Sequence, residues 1–153
     1  MRSASERLAA AGITLPPVAA PLAAYVPSRR SGDLIWTSGQ LPLSGGTLVA
    51  TGKLGGAVTT DVGRDAARTA ALNAVAAVAD QAGGVDAILR VVRVVVYVAS
   101  TVDFLEQPQV ANGASELLAE IFGPENGAHV RSAVGVSVLP LDAPVEVELV
   151  VEV

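Results

Sequence analysis

Cysteine is absent from this 153-residue chain, and His129 is the single histidine. The first absence excludes disulfides, thiolate catalysis and cysteine-held metal. The second excludes a histidine-cluster metal site, and the carboxylates show no metal-ligand spacing, so no metal is expected. Aromatic residues make up only 3% of the chain, which leaves the core to Ala, Val and Leu within an apolar fraction of 51%. Such a core fills space by close backbone approach, which suits helices lying on a sheet. Basic residues are also scarce: ten Lys and Arg face fifteen Asp and Glu, a formal charge of −5. Without a basic or aromatic stripe, nucleic acid is not an expected partner. No apolar run approaches the ~20 residues that cross a bilayer. Arg2, Glu6 and Arg7 interrupt the start, where a secretory leader would need an apolar stretch. The expectation is a single cytoplasmic domain with no membrane partner. A mean hydropathy of +0.51 points to further apolar surface hidden in an oligomer.

What is present is most regular at residues 129–153, HVRSAVGVSVLPLDAPVEVELVVEV. Two runs of period-two alternation flank a break at 139–144, predicting two strands joined by a turn and paired antiparallel. In the first run Val130, Ser132, Val134, Val136 and Val138 share one face, and Arg131, Ala133, Gly135 and Ser137 the other. In the second, Val145, Val147, Leu149, Val151 and Val153 oppose Glu146, Glu148, Val150 and Glu152. The aliphatic face of each strand is expected in the core. Small residues around one guanidinium leave room for a ligand, so the Arg131 face is the candidate site. A planar guanidinium can clamp a carboxylate with two parallel hydrogen bonds. The other reading of Arg131 is an ion pair with an interfacial Glu. With Val138 opposite Val145, Arg131 falls opposite Glu152. It then lies roughly 20 Å of strand from Glu146, at ~3.4 Å per residue.

Upstream, Ser3 to Ala11 reads as a short helix capped by Ser3 or Ser5 and ended by Gly12. Leu15-Pro16-Pro17 is a linker, making 1–17 an N-terminal extension to a core of 18–153. Tyr25 to Ser28 and Leu34 to Ser38 read as strands around a turn at 29–33, with Arg29 and Arg30 at a solvated tip. Gly45-Gly46 predicts a turn before a third strand at Thr47 to Ala50; its spacing matches no phosphate-binding loop. Thr60 is the expected cap of a long helix ending at Gly83-Gly84, with Asn73 a packing or surface residue. Arg90 to Ser100 reads as a strand, with Val92, Val94, Val96 and Val98 facing the core and Arg93 and Tyr97 the other way. The next helix is expected from Asp103 to Phe122 with a disturbance at Pro108, followed by a loop at 123–128. Three strands with the same asymmetry imply helices on one side of a sheet only, and a subunit interface on the other.

Several stretches occur together in order: Tyr25-Val26, Thr37-Ser38-Gly39-Gln40-Leu41-Pro42, Val94 with Tyr97-Val98, and Asp103-Phe104. Arg131-Ser132, Leu139-Pro140 and Val145-Glu146-Val147-Glu148 follow them. This set resembles the YjgF/RidA family of reactive-intermediate deaminases, from about Pro21 onward. The resemblance implies an α+β, chorismate-mutase-like fold: a mixed or antiparallel sheet with two helices on one face, assembled as a homotrimer with sites at subunit boundaries. It implies cofactor-independent hydrolysis of enamines and imines to 2-keto acids and ammonia. It aligns Arg131 with the arginine that holds the substrate carboxylate, and Glu146 with the acid that handles water. Tyr25, Ser38, Gly39 and Ala133 fall at pocket positions, and Asn112 and Ser115 compete for one more. Many members carry Cys where Ala133 stands, so the alternative is a non-catalytic trimer that binds small carboxylates.

Overall fold

Strands in which valine alternates with charged or small residues each acquire one uniformly aliphatic side, and in this chain two helices cover that side. In chain order the elements are α1 (Ala4–Ala11), β1 (Ser28–Ser31), β2 (Leu34–Thr37), β3 (Leu43–Ser44), β4 (Thr47–Leu48), α2 (Thr60–Ala82), β5 (Arg90–Ala99), α3 (Gln107–Asn126), β6 (Val130–Val136) and β7 (Val145–Glu152). The computed structural model describes all residues from 1 to 153. The main sheet runs β1-β2-β7-β5-β6. It is antiparallel except where β6 lies parallel to β5. The pair β3-β4 forms a separate small sheet. Val94, Val96, Val98, Val145, Val147, Leu149 and Val151 meet the alanine stripe of α2 and Val110, Leu117, Leu118 and Ile121 of α3 in one core. This is the expected α+β layer arrangement.

The C-terminal strands depart from expectation. β6 and β7 do not pair with each other: both pair with β5, which lies between them. The connection turns through Leu141 and Asp142 at φ of 60° and 61° and crosses β5 instead of closing a hairpin. Burial explains the choice. The odd face of β7 is entirely enclosed, so β7 takes the sheet centre, whereas Val130 and Val134 of β6 remain exposed at an edge. β6 is also turned over relative to expectation. Arg131, Ala133 and Gly135 sit in register with Val94, Val96 and Val98, on the helix side. The valines expected in the core face away from it.

Smaller corrections have local causes. A tight turn at Gly32, φ 62°, moves the first hairpin down the chain, so Arg29 and Arg30 lie in β1 and Tyr25 lies outside any strand. A bulge between Val91 and Arg93 swings Val91 into the core and leaves Val92 half-buried. Pro108 falls in the first turn of α3, where a missing N–H costs nothing. α3 passes the expected stop at Phe122, with the break at Gly123 (φ 85°). Thr59 rather than Thr60 caps α2, accepting from the Val62 N–H at 3.3 Å. α1 forms as expected: Ser3 and Glu6 make a reciprocal capping box and Gly12 ends it in a left-handed conformation. Its Leu8 is buried in the common core.

Asn73 is a packing residue with a specific task. Its Nδ2 donates to the Leu41 and Leu43 carbonyls at 3.0 and 2.9 Å, tying the 41–43 segment to α2. Replacing it by a side chain of similar size without donors strands both carbonyls. Asn73→Leu is expected to cost about 2–4 kcal/mol, read as a lowered urea midpoint with unchanged slope.

Candidate functional site

The candidate residues form two groups on opposite faces of the sheet. The first is built on edge strand β6 and helix α3. Nη1 of Arg131 donates to Asn112 Oδ1 at 2.8 Å and Ser115 Oγ at 3.1 Å, and Nη2 reaches the Pro108 carbonyl at 3.5 Å. Asn112 and Ser115 therefore do not compete, since one helix face presents both to the same guanidinium. Arg131 has no acidic partner within the chain; the ion pairs are Arg64–Asp61, Arg68–Glu120 and Arg90–Glu152. Its charge is held by neutral acceptors, and a guanidinium has five donors, so donors remain for an incoming anion. Ala133 lies two residues on along the same face and packs against the core edge.

His129 extends this network, a role that its position before a strand did not reveal. Its Nδ1 lies 2.7 Å from the Gly127 carbonyl, so Nδ1 carries the proton, and Nε2 then accepts from Ser115 Oγ at 2.9 Å. With its proton directed to His129, the Ser115 oxygen turns a lone pair to Arg131. The only sequence signal was a polar residue at i and i+14 in two elements, which no periodicity singles out.

The second group surrounds Glu146 on β7. Glu146 is in register with Tyr97, and Glu148 with Val95, on the face away from the helices. Tyr97 donates its hydroxyl hydrogen to Glu148 Oε1 at 2.8 Å, which raises the phenol's pKa. Glu146 is half-buried; burial pushes its carboxyl above the ordinary 4.5, and the nearby Glu148 adds to the rise. Gly39 lies hard against it: a Cβ there would sit 2.6 Å from the Glu146 carboxyl carbon. A larger residue at 39 would have to push the Glu146 side chain out of this position. Tyr25, Gly39 and Glu146 all line one cavity of about 220 Å³. The Tyr25 oxygen accepts from the Leu22 N–H at 3.3 Å. The Ser38 hydroxyl is engaged elsewhere: it donates to the Val26 carbonyl at 2.6 Å, holding the 19–27 segment over the cavity.

The fold thus brings Tyr25, Gly39 and Glu146 together, and separately Arg131, Asn112, Ser115 and Ala133. It does not join the two groups within one chain. Arg131 is level with Val94 and Glu146 with Tyr97, on opposite faces and with β5 intervening. No three His, Asp or Glu side chains converge as a metal ligand set, and no helix is long and apolar enough to cross a membrane.

The raised pKa of Glu146 has a consequence for stability. Below pH 4.5 the carboxyl is protonated in both folded and unfolded chains, and burial costs nothing in charge. As pH rises through the folded-state value, the native protein must hold a half-buried anion and loses stability. Glu146→Gln is therefore expected to melt higher than the wild type at pH 7–8, by on the order of 1–3 °C given partial exposure. The difference should close as the pH falls below 4.5. A constant difference from pH 4 to 8 would refute the assignment.

Relatives with the same architecture are found on three sides. The family described as "YjgF/chorismate_mutase-like, putative endoribonuclease" matches residues 5–153. Protein TCP17 of Trypanosoma cruzi is 45% identical over 97% of this chain and 96% of its own length. The crystal structure of Atu1372 from Agrobacterium tumefaciens is 40% identical, with a TM-score of 0.90 over 99% of this chain and 93% of that one. A Shewanella oneidensis structure described as a "putative endoribonuclease" is 38% identical, with a TM-score of 0.95 over 99% of this chain and all of the other. Matching coverage at that level includes α1, so the N-terminal helix is shared with that relative. With the fold, the residue order and the whole-length matches in agreement, the chain belongs to the YjgF/chorismate-mutase-like family.

Proposed function

We propose that this protein hydrolyses reactive enamines and imines, of the 2-aminoacrylate type, to 2-keto acids and ammonia. The proposed form is a cytoplasmic homotrimer whose sites lie between neighbouring copies. One observation carries the reading: a guanidinium with free donors and no acidic partner stands at a sheet edge, while an acid with raised pKa borders a cavity on the other face. A neighbouring copy brings the two together. The exposed Val130, Val134 and Trp36 on the uncovered sheet face supply apolar surface for that contact.

Arg131 of one copy binds the substrate carboxylate and fixes the 2-carbon in place. Asn112 and Ser115 hold the guanidinium in one orientation. Glu146 of the neighbour faces the imine carbon and a water molecule. As the carboxylate it takes a proton from the water while oxygen bonds to the 2-carbon. As the acid it returns that proton to the nitrogen, giving the carbinolamine. A second transfer, from the new hydroxyl through the same carboxylate to the nitrogen, forms the carbonyl as the C–N bond breaks and ammonia leaves. A carboxyl pKa raised above the ordinary value favours the return of the proton. No cofactor takes part in this scheme.

The endoribonuclease wording attached to the family names a different substrate. A net charge of −5 and a mostly apolar cavity favour a small carboxylate over a polyphosphate chain. Ala133, where many relatives have cysteine, is the feature that favours binding without turnover. Freshly generated 2-iminopropionate decides the matter. Ammonia release should exceed the spontaneous rate by at least about tenfold, and wild-type protein that binds pyruvate without accelerating release would establish the binder instead.

A further inference from the structure

We infer that the site selects 2-imino and 2-oxo acids with aliphatic side chains of about leucine size, and that the cavity beside Glu146 receives the side chain. The inference rests on the carboxylate-binding site proposed above and deepens it. If Arg131 holds the carboxylate and Glu146 serves the 2-carbon and its nitrogen, one substituent of that carbon remains to be placed. The space next to Glu146 is the cavity of about 220 Å³.

Its walls come from two segments, 19–27 and 39–43, closed by Pro140, with Ala19, Ala20, Leu22, Leu41 and Leu43 among the apolar side chains that line it. The lining contains no cation, and its ionisable groups are Glu146 and the Tyr25 phenol. Apart from the Glu146 carboxylate, the polar side chains at its wall each make a hydrogen bond to protein. Gln40 exchanges both backbone hydrogen bonds with Val147, and its Nε2 is directed to the Ser38 carbonyl at 3.4 Å. Tyr25 accepts from the Leu22 N–H, and Ser38 donates to Val26. A hydroxymethyl group entering here trades water for little, and an ammonium would pair with Glu146 and draw it away from the 2-carbon, so neither makes a productive ligand. A carboxylate side chain meets Glu146. A methyl group leaves most of the volume unfilled, whereas an isobutyl group buries three more carbons. Each buried methylene favours binding about fourfold, so the leucine-type ligand gains up to about 60-fold over the alanine type.

The test uses the full chain and a ligand series. Calorimetry gives the Kd of pyruvate, 4-methyl-2-oxopentanoate and 2-oxoglutarate. In parallel, kcat/KM is measured for the imines of alanine, leucine and glutamate, generated in place by amino-acid oxidases with catalase. The leucine-type compound should lead by at least about tenfold in binding and the acidic one should come last. Ala19→Phe, which fills the cavity, should abolish that lead while changing pyruvate affinity by less than about threefold. Equal affinities across the wild-type series, or a Phe variant that weakens all three ligands alike, would overturn the inference. Should no imine be turned over while the binding order holds, the hydrolytic reading fails and the selectivity stands.

Discussion

Arg131→Ala is expected to weaken the binding of a 2-keto acid by about 100-fold or more, on the order of 3 kcal/mol. The guanidinium is the only cation in its group, and Asn112, Ser115 and the Pro108 carbonyl approach it as acceptors. Without it, an incoming carboxylate meets two oxygens and a carbonyl, which repel it. The fold should be indifferent to the change. The side chain lies on an edge strand and makes no ion pair, and the partners left behind are close enough to solvent to take water. Arg131→Lys should recover little, because an ammonium cannot reproduce the planar fork or reach three separated acceptors. Calorimetry with pyruvate, alongside the elution volume of each variant, separates a binding defect from loss of assembly. Unchanged affinity in a normally assembled Ala variant would refute the site.

Mixing two inactive chains is expected to restore activity. Arg131→Ala leaves Glu146 intact, and Glu146→Gln leaves Arg131 intact. The two residues occupy opposite faces of different strands. Neighbouring strands are ~4.8 Å apart and residues ~3.4 Å apart along them, so no small ligand touches both in one chain. In a closed ring each boundary joins the Arg131 side of one copy to the Glu146 side of the next. Random exchange of equal amounts then gives about one quarter of boundaries with both residues intact, whatever the ring size. Activity near a quarter of wild type is the expected ceiling, against a few per cent for either variant alone. Exchange itself is verified by mass spectrometry of tagged chains. Complete exchange without recovery would place the working pair elsewhere.

The alternating pattern of 145–151 was enough to identify a strand with one core face, because every second residue is aliphatic and all of them are enclosed. The caps of α1 and the glycine stop of α2 were equally legible, since local hydrogen bonding and left-handed φ decide them. The alternation also set Arg131 among small residues on one face, and resemblance to a family proposed Arg131 and Glu146 as the working pair.

Tertiary structure alone decided how those residues are arranged. In 130–138 the valine face was expected in the core, but the opposite face, small residues around one Arg, is the one that closes against a helix. Insertion of β5 between β6 and β7 turned β6 over and put Arg131 under α3, next to Asn112 and Ser115. The same insertion sent Arg131 and Glu146 to opposite sides of the sheet, whereas the expected hairpin register, Arg131 opposite Glu152, would have kept them on one face. Strand order depends on which strand can bury both faces best. That is a comparison among distant segments, and no single stretch of sequence contains it.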